Sequence, residues 1–147
     1  MNIRHILWIA ALPGLLGCSD HDRVVAAMPF NPSSLAGGTF NVVAKNPAES
    51  IILLGQLHFA PISGTDIQGT WDLKQWSGTD VPGLPGSGAM TGTLFGTAAI
   101  LRLELPGTES TLGVVIDHAV DGRVAGRIDL LPSGTFHGRI EAIRATP

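Results

Sequence analysis

The residues of this chain that could do chemistry are few, and their spacing does not favour catalysis. His118 lies beside Asp117 and close to Asp121, which together could offer nitrogen and oxygen ligands to a metal ion. The chain has no H-x-H, H-E-x-x-H or G-x-S-x-G pattern, and its single cysteine allows neither an internal disulfide nor a cysteine-based metal site. We therefore expect no catalytic residue, metal ligand or cofactor. A metal enzyme built on these three residues is the minor alternative.

The remaining polar side chains of the strand-rich region favour a solvated surface. Side chains alternate between the two faces of a strand, so His58 and His137 fall away from the apolar face. Three charged pairs, each two residues apart, fall on the same polar side: Arg102/Glu104, Arg127/Asp129 and Arg139/Glu141. We expect these pairs to form cross-strand ion pairs that keep the outer surface polar, and not acid–base machinery.

Composition excludes one class of partner and indicates a fold class. The formal net charge is −3, only 14% of residues are charged, and no basic cluster is longer than a pair. Nucleic-acid binding requires a lysine and arginine footprint, so we expect no nucleic-acid partner. Nineteen glycines and ten prolines without a G-X-Y period, among many Val, Ile, Leu and Thr, indicate a turn-rich β protein.

The N-terminal segment has the layout of a secretory signal. It reads MNIRHILWIAALPGLLGC, in which Arg4 precedes an apolar run from Ile6 to Leu16. This run is too short to cross a bilayer as a helix. We therefore expect residues 1–17 to act as a signal peptide.

The end of this segment, Leu15-Leu16-Gly17-Cys18, resembles the lipobox of bacterial lipoproteins. The resemblance implies that Cys18 is acylated, palmitate being one such acyl group, and becomes the N-terminus of a membrane-anchored chain. More than one acyl chain makes such anchoring stable. Ser19, next to the cysteine, implies delivery to the outer membrane, with the domain facing the periplasm or the cell surface. The alternatives are an ordinary cleaved signal peptide or a buried, apolar cysteine.

The mature chain divides into a tether and one folded domain. Residues 18–37 mix charge, proline, serine and glycine without a period, so we expect an irregular, flexible tether before a domain spanning 38–147. Within that domain the alternation of apolar residues predicts eight strands. They are Gly38–Lys45, Ser50–Ala60, Asp66–Trp76, Ser87–Phe95, Ala98–Leu105, Thr111–Asp117, Gly122–Leu131 and Gly134–Arg144.

Five of the predicted strands share the pattern apolar-x-Gly-x-apolar. The central glycines are Gly55, Gly69, Gly92, Gly126 and Gly138. Each glycine shares a face with the apolar residues around it, where it gives room to large side chains and allows sharp bends. Short connections between these strands favour hairpins. We therefore predict an all-β, eight-stranded antiparallel up-and-down barrel, with a β-sandwich as the alternative and a transmembrane barrel as a weaker one.

Gly69-Thr70-Trp71 is similar to the G-x-W motif of lipocalins and avidin-like barrels, although we place it on the third strand and not the first. Trp71, Trp76 and Phe136 are the candidate ligand-binding residues. We expect a non-enzymatic envelope lipoprotein that binds a small apolar or amphipathic molecule inside the barrel or under the loop from Ser77 to Gly86. The alternative is a structural or protein-interaction module with a filled barrel and an envelope protein as partner.

Overall fold

A computed structural model describes residues 29–77, 81–134 and 136–146 of the chain, which form a closed antiparallel β-barrel. The eight strands are β1 Thr39–Lys45, β2 Ile51–Phe59, β3 Asp66–Gln75, β4 Gly86–Phe95, β5 Ala98–Glu104, β6 Thr111–Val120, β7 Arg123–Leu131 and β8 His137–Arg144. Each strand pairs with the next along the chain, and β8 returns to pair with β1. The predicted up-and-down barrel is confirmed, and the sandwich alternative is wrong. Closure leaves no strand with an unpaired edge.

The strand boundaries agree with the sequence pattern to within three residues. The largest differences are at β6, which continues to Val120, and at β8, which begins at His137. In β6 the pairing register shifts between Ile116 and His118, which is a β-bulge. A bulge moves the following side chains to the other face, so the alternation of the sequence breaks although the strand continues.

The apolar face of the strands points into the barrel, and the glycines share that face. A Cβ atom added at Gly88 would lie 3.1 Å from Nε1 of Trp71, and one added at Gly69 would lie 2.7 Å from Cε of Met90. Both glycines therefore give room to a neighbouring large side chain, and Gly69 also lets the backbone carbonyl of His58 approach. The outer positions of β3 carry exposed Asp72 and Lys74, so the faces are arranged opposite to those of a transmembrane barrel.

Side chains close the barrel at both ends. We call the end with the β2–β3, β4–β5 and β6–β7 connections the lower end, and the opposite end the upper end. At the lower end, a single 3₁₀ turn, Pro32–Ser34, brings in Leu35, which is completely buried. At the upper end, Val81, Leu105 and Phe136 are buried in the same apolar cluster.

The folded body begins earlier than the sequence pattern indicates. Residues 29–37 fall in the segment that we assign to a tether, yet they pack against the barrel. The backbone N–H of Asn31 donates to the carbonyl oxygen of Ala119 (2.8 Å), and the N–H of Ala119 donates to that of Pro29 (3.2 Å). Arg144 holds this segment from β8, because its Nη2 donates to the carbonyl oxygens of Ser34 and Ala36. The described part of the predicted tether is therefore an ordered plug, and the boundary at residue 38 is too late.

Candidate functional site

The structure separates the three predicted ligand-binding residues. Trp71 is 1% exposed, and its indole Nε1 donates to the carbonyl oxygen of Ala89 at 3.1 Å, so its polar atom is satisfied inside the core. Phe136 is buried beneath the upper end of the barrel. Trp76 lies outside the barrel with 62% of its surface exposed. The three side chains therefore do not line one common site.

Inward-pointing side chains occupy the barrel interior. The buried hydrophobic residues form one cluster, and none of them is more than 5% exposed. All eight strands contribute inward side chains to this cluster, so side chains from opposite strands meet across the interior. The interior of the described barrel is thus packed in the manner of a protein core.

An apolar groove lies instead on the outer wall, across β4 to β7. Its volume is about 360 Å³. We call it the wall groove, and its outward-facing lining residues are Thr91, Thr93, Ile100, Arg102, Gly113, Val115, Asp129 and Leu131. Ile100 is 44% exposed and Leu131 is 45% exposed, so the groove presents two large aliphatic side chains to solvent.

The register of the strands explains how the wall groove forms. Ile100 pairs with Thr93 on one side and with Val115 on the other, so three side chains of low polarity lie in one row. Gly113 lies in the next row, between Arg102 and Asp129. A Cβ at Gly113 would lie 3.0 Å from Cδ1 of Leu131, so the missing side chain creates the depression that Leu131 borders.

Sequence reasoning missed the wall groove because it assigned the outward positions to a polar surface. The sequence does contain a signal for the groove. Apolar residues stand next to each other at two places where the alternation predicts a polar residue. Ile100 stands between Ala99 and Leu101, and Leu131 follows Leu130. In each case one of two adjacent apolar residues must face outward.

A network of four charged side chains lies at the upper end of β1 and β8. Nη2 of Arg139 lies 2.8 Å from Oε2 of Glu49, and Nε of Arg139 lies 3.1 Å from Oε1 of Glu141. Nζ of Lys45 on β1 lies 3.4 Å from Oε2 of Glu141 on β8. The Arg139/Glu141 pair therefore bonds along its own strand, and the cross-strand contact runs to Lys45. Such half-exposed pairs contribute little energy and keep the wall polar.

The histidines do not converge on a site. Nδ1 of His58 lies 3.0 Å from Oγ1 of Thr39. Nδ1 of His118 is buried without a hydrogen-bond partner in the described part of the chain, and nothing in the structure accounts for it. Asp117 is exposed. Across residues 29–77, 81–134 and 136–146, no three His, Cys, Asp or Glu side chains are grouped so that they could hold a metal ion.

Two further points concern the predicted membrane attachment. Cys18 and the signal segment 1–17 fall outside the part of the chain that the structure describes. Among the described residues, no helix has the length and apolar character needed to cross a membrane.

The chain matches no protein-family model and no curated protein sequence. Solved β-barrels are similar to it in structure. A redesigned beta barrel, mFAP1, bound to DFHBI is 16% identical with a TM-score of 0.53, over 77% of this chain and 96% of that one. EF1p2_mFAP2b bound to DFHBI is 13% identical with a TM-score of 0.53, over 78% and 95%. Another redesigned beta barrel is 14% identical with a TM-score of 0.55, over 82% and 99%. At these identities the likeness shows the fold alone: the chain is a small closed β-barrel.

Proposed function

We propose that this chain is a lipid-anchored, non-enzymatic protein of the bacterial cell envelope, and that its filled barrel binds a partner protein through the wall groove. The observation that carries the proposal is the combination of a packed interior with exposed Ile100 and Leu131 outside it. A binding module needs accessible apolar surface, and here that surface lies on the wall.

The architecture makes two other modes of binding less favourable. Side chains of the described residues occupy the interior, which leaves little preformed space for a small molecule. The sheet closes on itself, so no edge strand can accept a strand from a partner. Contacts between side chains across the outer wall remain.

The chemistry of the wall groove limits the partner. Its centre is aliphatic, and Arg102 and Asp129 flank Gly113 on the two neighbouring strands. We expect the partner to present one apolar side chain to the depression at Gly113, with polar or charged groups that satisfy Arg102 and Asp129. Small interfaces of this type depend on a central apolar anchor surrounded by polar contacts.

Interior ligand binding remains the second candidate, because two of the similar barrels are described as bound to DFHBI. Those proteins share the fold with this chain, and this chain fills the corresponding interior with Trp71, Met90 and Leu101. Native mass spectrometry of the protein purified from its own host tests this candidate. A stoichiometric small molecule that co-purifies would favour it over the wall groove.

A photo-crosslinking amino acid at position 100 tests the wall groove in living cells. We expect it to capture one protein in constant yield, whereas the same amino acid at exposed Asn41 on β1, across the barrel, does not. Leu131→Glu should reduce the yield at position 100 about fivefold or more, because a charge at a central apolar contact costs about 1–3 kcal/mol. Equal capture at positions 100 and 41, or capture insensitive to Leu131→Glu, would exclude the groove.

The anchor is tested separately at Cys18. The wild-type chain should incorporate labelled palmitate and partition into the detergent phase of a phase-separation assay, since acyl chains confer stable membrane binding. Cys18→Ser should lose the label and partition into the aqueous phase while the barrel keeps its circular dichroism spectrum. A wild-type chain with an unmodified cysteine contradicts the proposed anchoring.

A further inference from the structure

We propose that the lower end of the barrel rests in the headgroup layer of the membrane to which the chain is anchored, with Phe95 inserted between the lipids. The inference rests on the lipid anchor of the proposed function, and it adds a second membrane contact and an orientation. The surface concerned consists of residues 61–65, between β2 and β3, and residues 94–98, at the β4–β5 turn. We call it the lower tip.

Phe95 is the residue of the lower tip whose exposure to water is least favourable. Its side chain is 74% exposed, the highest value among the exposed large hydrophobic residues. It lies at the end of β4, directly before Gly96, whose φ of 58° makes the tight turn into β5. Among the described residues, none covers most of this ring, which lies at the apex of a hairpin. Burying such a ring is favourable, and membrane interfaces are a common place for it.

The residues around Phe95 fit a lipid surface. The two connections form one surface, because the backbone N–H of Leu94 donates to the carbonyl oxygen of Thr65 at 2.8 Å. The lower tip contains no charged side chain: it reads Pro-Ile-Ser-Gly-Thr on one connection and Leu-Phe-Gly-Thr-Ala on the other. Ile62 and Leu94 are partly buried against the core, so they support the tip from behind. Apolar and hydroxyl groups enter the headgroup layer at far lower cost than charges.

The position of the anchor favours the same end of the barrel. Ten residues lie between Cys18 and Pro29, and a fully extended chain over these eleven residue steps spans at most about 40 Å. The chain joins the barrel where Pro29 and Asn31 bond to Ala119, near the lower end of β6. β6 is the neighbour of β5, which starts directly after the Phe95 turn. The anchor therefore attaches at the end of the barrel that carries the lower tip.

Charged groups of both signs lie at the same end, beside the lower tip. Asp121 at the β6–β7 turn and Asp66 at the start of β3 are exposed, and so are Arg123 and Arg144. Anionic headgroups would repel the carboxylates and attract the arginines, so charge gives no net preference. We therefore expect the lower tip to insert by apolar contact and not by charge, so its insertion should not depend on anionic lipid or on salt.

Fluorescence quenching in vesicles tests the inference with the full, processed chain. Phe95→Trp is reconstituted into phosphatidylcholine vesicles whose acyl chains carry bromine, and the emission added by the new indole is compared with that in unbrominated vesicles. We expect bromine to reduce this added emission about twofold or more, since interfacial side chains reach the boundary of the acyl chains. Glu109→Trp is the matched control, because Glu109 is exposed in the β5–β6 turn at the upper end. Its added emission should not change.

The anchor and the insertion of Phe95 are tested by separate measurements. Mass spectrometry of the same sample shows whether Cys18 carries acyl chains, which decides the anchor. Quenching at position 95 alone supports the inference. Equal quenching at positions 95 and 109, or none at position 95, overturns it, as does a tip that is covered by a second copy, seen as a Phe95-dependent dimer in sedimentation. Hydrogen exchange of the unmutated protein gives an independent check: the amides of residues 95–97 should be protected on vesicles relative to detergent-free buffer.

Discussion

Replacing Trp71 with alanine is expected to lower the free energy of unfolding by about 3–5 kcal/mol, the usual cost of removing a large aromatic side chain from a core. Trp71 is 1% exposed, and its removal also leaves the carbonyl oxygen of Ala89 without its indole donor. The measurement is urea denaturation of the folded barrel. Trp76→Ala is the matched control: its side chain is 62% exposed, and we expect a change below about 1 kcal/mol.

The same variant tests whether the interior is filled in the native protein. Trp71→Ala leaves a space shaped like the lost side chain, and apolar cavities of this kind bind small aromatic molecules. Indole should raise the unfolding midpoint of Trp71→Ala and leave that of the wild-type protein unchanged. Comparable stabilisation of the wild-type protein by indole would mean that the interior already holds usable space, and it would favour the interior-ligand candidate.

Replacing Gly69 with alanine is expected to cost more than about 3 kcal/mol, above the usual range for overpacking, because the new Cβ would meet backbone. At this position the Cβ would lie well inside contact distance of the carbonyl oxygen of His58, and 2.7 Å from Cε of Met90. His58 is on the neighbouring strand β2 and pairs with Thr70. A methionine terminus can move, whereas a carbonyl in the sheet can move only if the strand does.

A double variant separates these two contacts. Met90→Ala removes the side-chain contact but leaves the carbonyl of His58, so Gly69→Ala should remain destabilising in that background by urea denaturation. Full rescue by Met90→Ala would show that room for the methionine is the only requirement. Gly64→Ala is the control: Gly64 has a φ of 63° with open space around it, so we expect only the cost of a left-handed conformation, about 1–2 kcal/mol.

The barrel could be predicted from the sequence because one physical signal repeats along it. The alternation of apolar residues, with Gly55, Gly69 and Gly126 on the apolar face, determines which side of each strand faces inward. Short connections then leave consecutive hairpins as the simplest topology. The same signal ends early in β6, because a bulge beside Asp117 changes the face on which the following residues lie.

The candidate site could not be predicted in the same way. A side chain that packs in a core and one that lines a cavity both face the inside of the barrel. The alternation around Trp71 therefore does not distinguish the two. The difference depends on whether opposite strands fill the space, which is a property of the closed barrel. Leu35 falls in the segment predicted to be a tether, because a single buried residue after a 3₁₀ turn has no sequence period. Ile100 and Leu131 lie at outward positions, where the pattern predicts a polar wall, although their doubled apolar neighbours indicate exposure.

Closure between the first and last strands makes the barrel a fold that completes only when the whole chain is present. β1 receives one partner from the adjacent β2, but its other partner, β8, begins at His137, more than ninety residues later. Pairings so distant in sequence form slowly, and until they form β1 presents an open edge to other chains. Because synthesis starts at the N-terminus, β1 carries this open edge while the roughly ninety residues before β8 are made. Arg144, at the end of β8, donates hydrogen bonds to the plug, so the plug gains these contacts only when the final strand is present.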